Sequence, residues 1–254
     1  MKDSIENAVI ITGASSGIGL ALARRLLDPA NHVVCISRRI NQALIAEAGS
    51  SGVLIDYLEI DLSVPGELES NLAGFLETMV SRGYNGIALV NNAGILAPIA
   101  PLGRADSQGL AAIMNVNATS PIILMNLFAR YFGGIPADKR IINISSGAAV
   151  NPYSGWSGYC SSKAALEMAR RCLHTEQLNS PHPVKIMSFA PGVVDTDMQD
   201  EIRRTDPEDF PLVNRFREFK DKGVLTTPDF VAQRLAELLF SPDFPDGTAV
   251  DIRD

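Results

Sequence analysis

Cysteine is scarce in this chain: Cys35, Cys160 and Cys172 are three in 254 residues, an odd number with no CxxC spacing. They outline neither a disulfide framework nor a zinc site, and reduced thiols of this kind fit a cytoplasmic protein. Positive charge is also short, with 22 Lys and Arg against 29 Asp and Glu for a net charge of -7. No local block of basic residues offsets that deficit, so neither nucleic acid nor an anionic membrane is an expected partner. No uninterrupted apolar run approaches the ~18 residues of a membrane span, and the first strand-like run starts too near Met1 to leave room for a signal peptide. His32, His174 and His182 have no ligand spacing, and no metal is expected.

What is present is core-forming material, 46% hydrophobic against 20% charged, which describes a globular chain with ample interior. Short apolar runs occupy 8–12, 32–37, 53–61, 87–91, 140–145, 184–189 and 249–252. Longer stretches of helical period lie at 17–27, 65–81, 105–131, 153–179 and 228–240. Alternation of this kind predicts an α/β fold, a doubly wound seven-stranded parallel sheet in one domain spanning 1–254. The stretch 195–222 breaks the rhythm, with nine acidic and six basic residues around Met198, Phe210, Leu212, Phe216 and Phe219. Short amphipathic helices are expected there, forming either a lid over substrate or a solvated excursion.

The first strand runs into Thr12-Gly13-Ala14-Ser15-Ser16-Gly17-Ile18-Gly19 and then into a helix. Glycines let the backbone bend and approach a pyrophosphate while the helix N-terminus offers amides to the anion. Gly13, Ser15, Ser16, Gly17, Ile18 and Gly19 are therefore expected to hold a dinucleotide. The second strand ends in Ser37-Arg38-Arg39, where an NAD site would place a carboxylate for the ribose hydroxyls. Two guanidiniums there favour a 2'-phosphate, so the expected cofactor is NADP(H).

Tyr159 and Lys163 stand four residues apart, with Ser146 thirteen residues before the tyrosine. One helix face would carry both, and an ammonium beside a phenol favours its charged form. The expectation is a tyrosine acidified toward neutral pH, with a serine hydroxyl to hold a substrate oxygen.

These motifs resemble the short-chain dehydrogenase/reductase family over nearly the whole chain. The glycine turn is similar to the family's TGxxxGxG, Asp61-Leu62 to its acidic dipeptide at the adenine, and Asn91-Asn92-Ala93-Gly94 to its NNAG beside the cofactor. Asn117 falls where the family keeps a helix asparagine that holds a water in its proton relay. Ser146, Tyr159 and Lys163 match the catalytic positions, and Pro191-Gly192, Val194 and Thr196 the segment that meets the carboxamide. The resemblance implies cofactor contacts at Asp61, Leu62, Asn91, Ala93 and Gly94 as well. It further implies hydride transfer to a carbonyl with Tyr159 as general acid or base, and Lys163 on the nicotinamide ribose.

Within that family, Ile144-Ser145-Ser146-Gly147-Ala148-Ala149, the stretch from Phe189 to Gln199, and Gly247-Thr248-Ala249-Val250-Asp251-Ile252 are similar to the sepiapterin reductase branch, which includes bacterial benzil reductases. An aromatic or vicinal dicarbonyl ketone is the substrate class this implies. Asp251 then matches a pterin-anchoring aspartate, or is a surface carboxylate on an edge strand. Tyr153, Trp156 and Met198 are candidates for substrate contact, with packing as the alternative for the two aromatics. A 3-ketoacyl reductase and a non-catalytic NADP-sensing protein are the competing readings, and extended sugar-nucleotide epimerases would need a longer chain. By analogy with relatives, a homodimer or homotetramer is expected.

Overall fold

Seven parallel strands make one sheet in the computed structural model, which describes residues 5–253. They are β1 Asn7–Thr12, β2 Asn31–Ser37, β3 Leu54–Glu59, β4 Gly86–Asn91, β5 Asp138–Ile144, β6 Val184–Ala190 and β7 Ala249–Asp251. Their order is β3-β2-β1-β4-β5-β6-β7. The central strands are apolar almost without interruption because both faces are covered. Successive residues of β1 point to opposite layers, Ala8 and Ile10 into one core and Val9 and Ile11 into the other.

Helices α1 Gly17–Arg25, α2 Gln42–Ser51 and α9 Pro228–Leu239 close one face, seating Leu22, Leu44 and Leu235 on it. The other face is covered by α3 Leu68–Arg82, α5 Ser120–Phe132 and α6 Ser157–Gln177, through Leu72, Phe128 and Leu166. Because β2 and β4 flank β1 on opposite sides, the chain winds both ways from β1, and a crevice opens at the carboxyl ends of β1 and β4. The remaining helices, α4 Ser107–Met114, α7 Asp197–Arg204 and α8 Val213–Asp221, lie around that end.

All seven expected strands are present, and three helical expectations need correction. Helix α2 falls in a stretch not expected to be helical; Asn41 caps it by accepting from the Leu44 amide at 3.0 Å, and Gly52 ends it at φ 67°. The segment 105–131 is α4 and α5 joined by a π turn at Asn115–Thr119. Tyr153 precedes α6, since Gly155 at φ 84° lies outside helical space. The joined segment Ser107–Phe132 is also long and apolar enough to cross a membrane by length and composition, which corrects the expectation that no segment comes near a span. Half of its most apolar window is buried in the protein, Leu124 and Phe128 among the core residues.

Candidate active site

At the base of the crevice, Gly13 leaves β1 at φ 70°, and a Cβ there would stand 2.9 Å from Ala93 Cα. Glycine is demanded again at 19, where a Cβ would fall inside contact distance of Gly13 O and 2.5 Å from Asn92 Nδ2. Asn92 ties the two strand ends together, its Nδ2 donating to Thr12 O at 2.9 Å while its own amide donates to Thr12 Oγ1 at 3.0 Å. Helix α1 begins at Ser16 with no side-chain cap and no acidic residue in its first turn. Its first amides are left for an anion, and the helix dipole adds to the attraction.

This turn floors a cleft of about 710 Å³ that runs from Arg38 and Arg39 to an aromatic wall. Both arginines are exposed at the end of β2 and form no ion pair among the described residues. Ser37 Oγ and the Tyr57 hydroxyl share the Arg39 carbonyl at 2.9 and 3.0 Å, which fixes the loop that carries the guanidiniums. Asp61 and Leu62 line the cleft as well. The Asp61 carboxyl lies below its ordinary range, chiefly because it accepts from the Ser63 amide at 2.8 Å. These residues suit a dinucleotide: two glycines whose missing Cβ atoms leave room, uncapped helix amides, and two unpaired cations at the adenosine end.

Ser146, Tyr159 and Lys163 come together at the other end of the cleft. Ser146 is extended and starts a turn of 3₁₀ helix, its Oγ accepting from Ala148 N at 3.1 Å. Tyr159 and Lys163 both belong to α6 and are 8% and 4% exposed. Lys163 Nζ donates to Ile144 O at 2.7 Å and lies 5.7 Å from the Tyr159 ring centre.

Electrostatics here correct the expectation of an acidified phenol. Burial pushes Tyr159 up to about 12, and hydrogen bonding with Ser146 only partly opposes it. Burial likewise pushes Lys163 down to about 8. The ammonium is spent on Ile144 O, so desolvation outweighs its pull on the ring. Near neutral pH Tyr159 holds its proton and can give it away.

Asn117 sits in the π turn, fully buried, with Oδ1 accepting from Ile95 N at 2.8 Å and Nδ2 donating to Ile95 O at 2.8 Å and Ser162 Oγ at 3.2 Å. Its side chain therefore anchors the loop that leaves β4. Pro121, four residues further on, has no N–H to offer the Asn117 carbonyl. Asn115 turns away and donates to Ser63 O at 3.0 Å.

Trp156 and Tyr153 form the far wall. Trp156 stacks on Phe210 with centres 4.7 Å apart and planes 6° from parallel, and meets Tyr159 edge-on at 5.6 Å. Phe216 of α8 closes on the same indole at 5.5 Å. Met198, Gln199 and Ile202 of α7 line this end, so the segment that breaks the sequence rhythm does lie over the cleft. Arg104 Nη2 on Asp209 Oδ1 at 2.7 Å ties its middle to the preceding loop, and Lys220 Nζ on Asp195 Oδ2 at 2.6 Å ties its two ends to each other.

Most expected cofactor positions line the cleft, including Ser15, Ser16, Gly17, Ile18, Ala93, Gly94, Pro191, Gly192, Val194 and Thr196. Gly19, Asn91 and Asn117 do not; they stand behind its wall. Asn91 is 2% exposed and donates to Asn143 Oδ1 at 2.9 Å, joining β4 to β5, and the residue that shapes the turn is its neighbour Asn92. Asp251 does line the cleft, but its carboxylate is gripped by Arg253, Nε to Oδ1 and Nη2 to Oδ2 both at 2.6 Å. That grip holds its pKa down.

A doubly wound sheet with this glycine turn and a Ser, Tyr and Lys group at the carboxyl ends defines a nicotinamide-dependent oxidoreductase fold. The family model described as short chain dehydrogenase matches residues 7–207, and the chain belongs to that family as an oxidoreductase. It is 41% identical to a benzil reductase, (S)-benzoin forming, of Bacillus cereus, covering 96% of this chain and 98% of that one. Sepiapterin reductase of Meriones unguiculatus is 34% identical over 96% and 95% of the two chains. Among solved structures, the crystal structure of KRED1-Pglu enzyme superposes with a TM-score of 0.82 at 28% identity, covering 96% of this chain and all of that one.

Proposed function

We propose that this protein is an NADP(H)-dependent carbonyl reductase acting on aromatic or vicinal dicarbonyl ketones. The observation that carries this reading is the juxtaposition, in one cleft, of a protonated Tyr159 beside Ser146 with an aromatic wall of Trp156, Tyr153 and Phe216. The benzil and sepiapterin reductases it is similar to act, by their names, on aromatic compounds.

Arg38 and Arg39 would hold the 2'-phosphate, Gly13 to Ile18 the pyrophosphate, and Thr196 with Val194 the nicotinamide end. When bound, the reduced nicotinamide supplies hydride. The chain's own part is positional and acid-base. Ser146 Oγ donates to the substrate oxygen, Tyr159 gives that oxygen a proton as charge develops on it, and the buried wall excludes water. Lys163, held by Ile144 O, keeps a cation under the cleft floor near Gly94, whose Cβ position is 3.8 Å from Nζ. Helices α7 and α8 serve as the substrate lid. The free thiols fit a cytoplasmic setting, and Ile122 of α5 with Met168 of α6 offers an apolar face for a two-fold pairing.

The test is NADPH oxidation with benzil, 1-phenylpropane-1,2-dione, sepiapterin, acetoacetyl esters and simple aldehydes. Preference for the diketones or sepiapterin supports the reading; activity confined to acetoacetyl esters overturns it.

A further inference from the structure

Two buried polar atoms among the residues that line the cleft have no hydrogen-bond partner, Trp156 Nε1 and Gln199 Oε1. Both side chains are 7% exposed. A buried donor without an acceptor is destabilising by about 1–3 kcal/mol, so such a group marks a bond completed by something else. Gln199 Oε1 accepts hydrogen bonds and would repel a carbonyl oxygen. Trp156 Nε1 can only donate.

From this polarity we infer that the indole N–H of Trp156 binds the second, unreacting carbonyl oxygen of a vicinal dicarbonyl substrate. The inference rests on the dicarbonyl reading above and names the group that selects for it. Trp156 is the N-cap residue of α6, three positions before Tyr159, so one rigid helix start sets both groups. Its ring is clamped between Phe210, stacked at 4.7 Å, and the edge contact to Tyr159 at 5.6 Å, which holds the indole in place. A phenylalanine would stack equally well on Phe210; what the indole adds is the donor. The oxygen of the first carbonyl goes to Ser146 and Tyr159, and the second, one carbon away, falls to the ring packed against Tyr159. A site built around a hydrogen bond rejects an analogue that lacks the matching atom far more strongly than an apolar pocket does.

The experiment compares benzil with deoxybenzoin, which keeps both phenyl rings but only one carbonyl. Trp156→Phe, and a semisynthetic protein carrying the tryptophan isostere with sulfur in place of N–H, are measured beside wild type. Deoxybenzoin is followed by turnover or, failing that, by its inhibition constant against benzil. NADPH binding, read from the fluorescence of the nucleotide, and thermal melting establish that each protein is folded. The expected result for the sulfur isostere, which keeps the ring, is a drop of about 10- to 100-fold in kcat/KM for benzil with the deoxybenzoin constant unchanged within about threefold, while Trp156→Phe loses at least as much on benzil. Equal losses for both ligands, or no loss for benzil in the sulfur isostere, overturn the assignment while leaving the dicarbonyl reading intact. A wild-type protein that turns over neither benzil nor any other dicarbonyl overturns the reading itself.

Discussion

Asn92 and Thr12 are locked to each other through two hydrogen bonds, from the Asn92 carboxamide to Thr12 O at 2.9 Å and from the Asn92 amide to Thr12 Oγ1 at 3.0 Å, and the Ala93 amide adds a third to the same Oγ1 at 3.0 Å. Through them the ends of β1 and β4 keep the spacing on which the crevice depends. Gly19 packs under this lock, where a methyl group would collide with Gly13 O. Gly19→Ala is expected to weaken NADPH binding by at least about tenfold, since backbone at 13 has to move. Titration of nucleotide fluorescence measures it, and unchanged affinity would show the turn to be more compliant than its contacts indicate.

Tyr159→Phe removes the hydroxyl proposed to donate the proton and leaves the aromatic contact with Trp156. Turnover should fall by about 10²- to 10⁴-fold, the usual range for a positioned general acid. NADPH affinity should stay within about threefold, so steady-state rates and binding together separate loss of chemistry from loss of fold. A retained rate would remove Tyr159 from the mechanism.

The proposed preference for NADP(H) rests on two exposed guanidiniums at the end of β2. The double variant Arg38→Ala, Arg39→Ala should raise KM for NADPH by about tenfold or more, a loss in keeping with charge-assisted phosphate contacts, and leave KM for NADH nearly unchanged. If both constants rose together, the arginines would be holding the loop and not a phosphate.

Acid should loosen the sheet edge through His32. Its ring is fully buried, with Nδ1 2.7 Å from the Tyr84 hydroxyl and Nε2 2.7 Å from Asp56 Oδ2. Burial holds its pKa below the ordinary value, more strongly than Asp56 raises it, and Arg82 adds to the lowering. The unfolded chain therefore binds a proton that the folded chain refuses, and stability rises with pH in that window. This contribution is complete above about pH 6.5, the unfolded value, and is lost as pH falls toward the folded one. Melting temperatures between pH 8 and pH 5 should fall more steeply for wild type than for His32→Gln; parallel curves would show that folding leaves the ring's pKa unchanged, and a shallower fall for wild type that Asp56 keeps the ring charged in the fold.

The sheet was legible because a buried parallel strand needs an unbroken apolar run, and Ala8 to Thr12 or Ile87 to Asn91 can be little else. Helix α2 was not, since only Leu44 and Ala48 of its ten residues are buried, too narrow a stripe to mark a period. The Ser, Tyr and Lys group was readable from its spacing taken together with the motifs around it, two of its members lying on a single helix. Roles fixed by partners distant in sequence were hidden: Asn92 takes its meaning from Thr12, and Phe210 from Trp156, 54 positions earlier. The acidity of Tyr159 was misjudged for a related reason. Spacing brings Lys163 near, but only the fold shows that Ile144 O occupies its ammonium.

Trp156 is the one tryptophan in the sequence, and it stands between the proton donor and a ring of the covering segment. Indole emission from this protein therefore comes from a single place, the aromatic wall of the cleft. The molecule carries its own optical probe of the site. Movement of Phe210 or arrival of an absorbing nicotinamide should register as a change in that one signal, with no label attached and no other indole to dilute it.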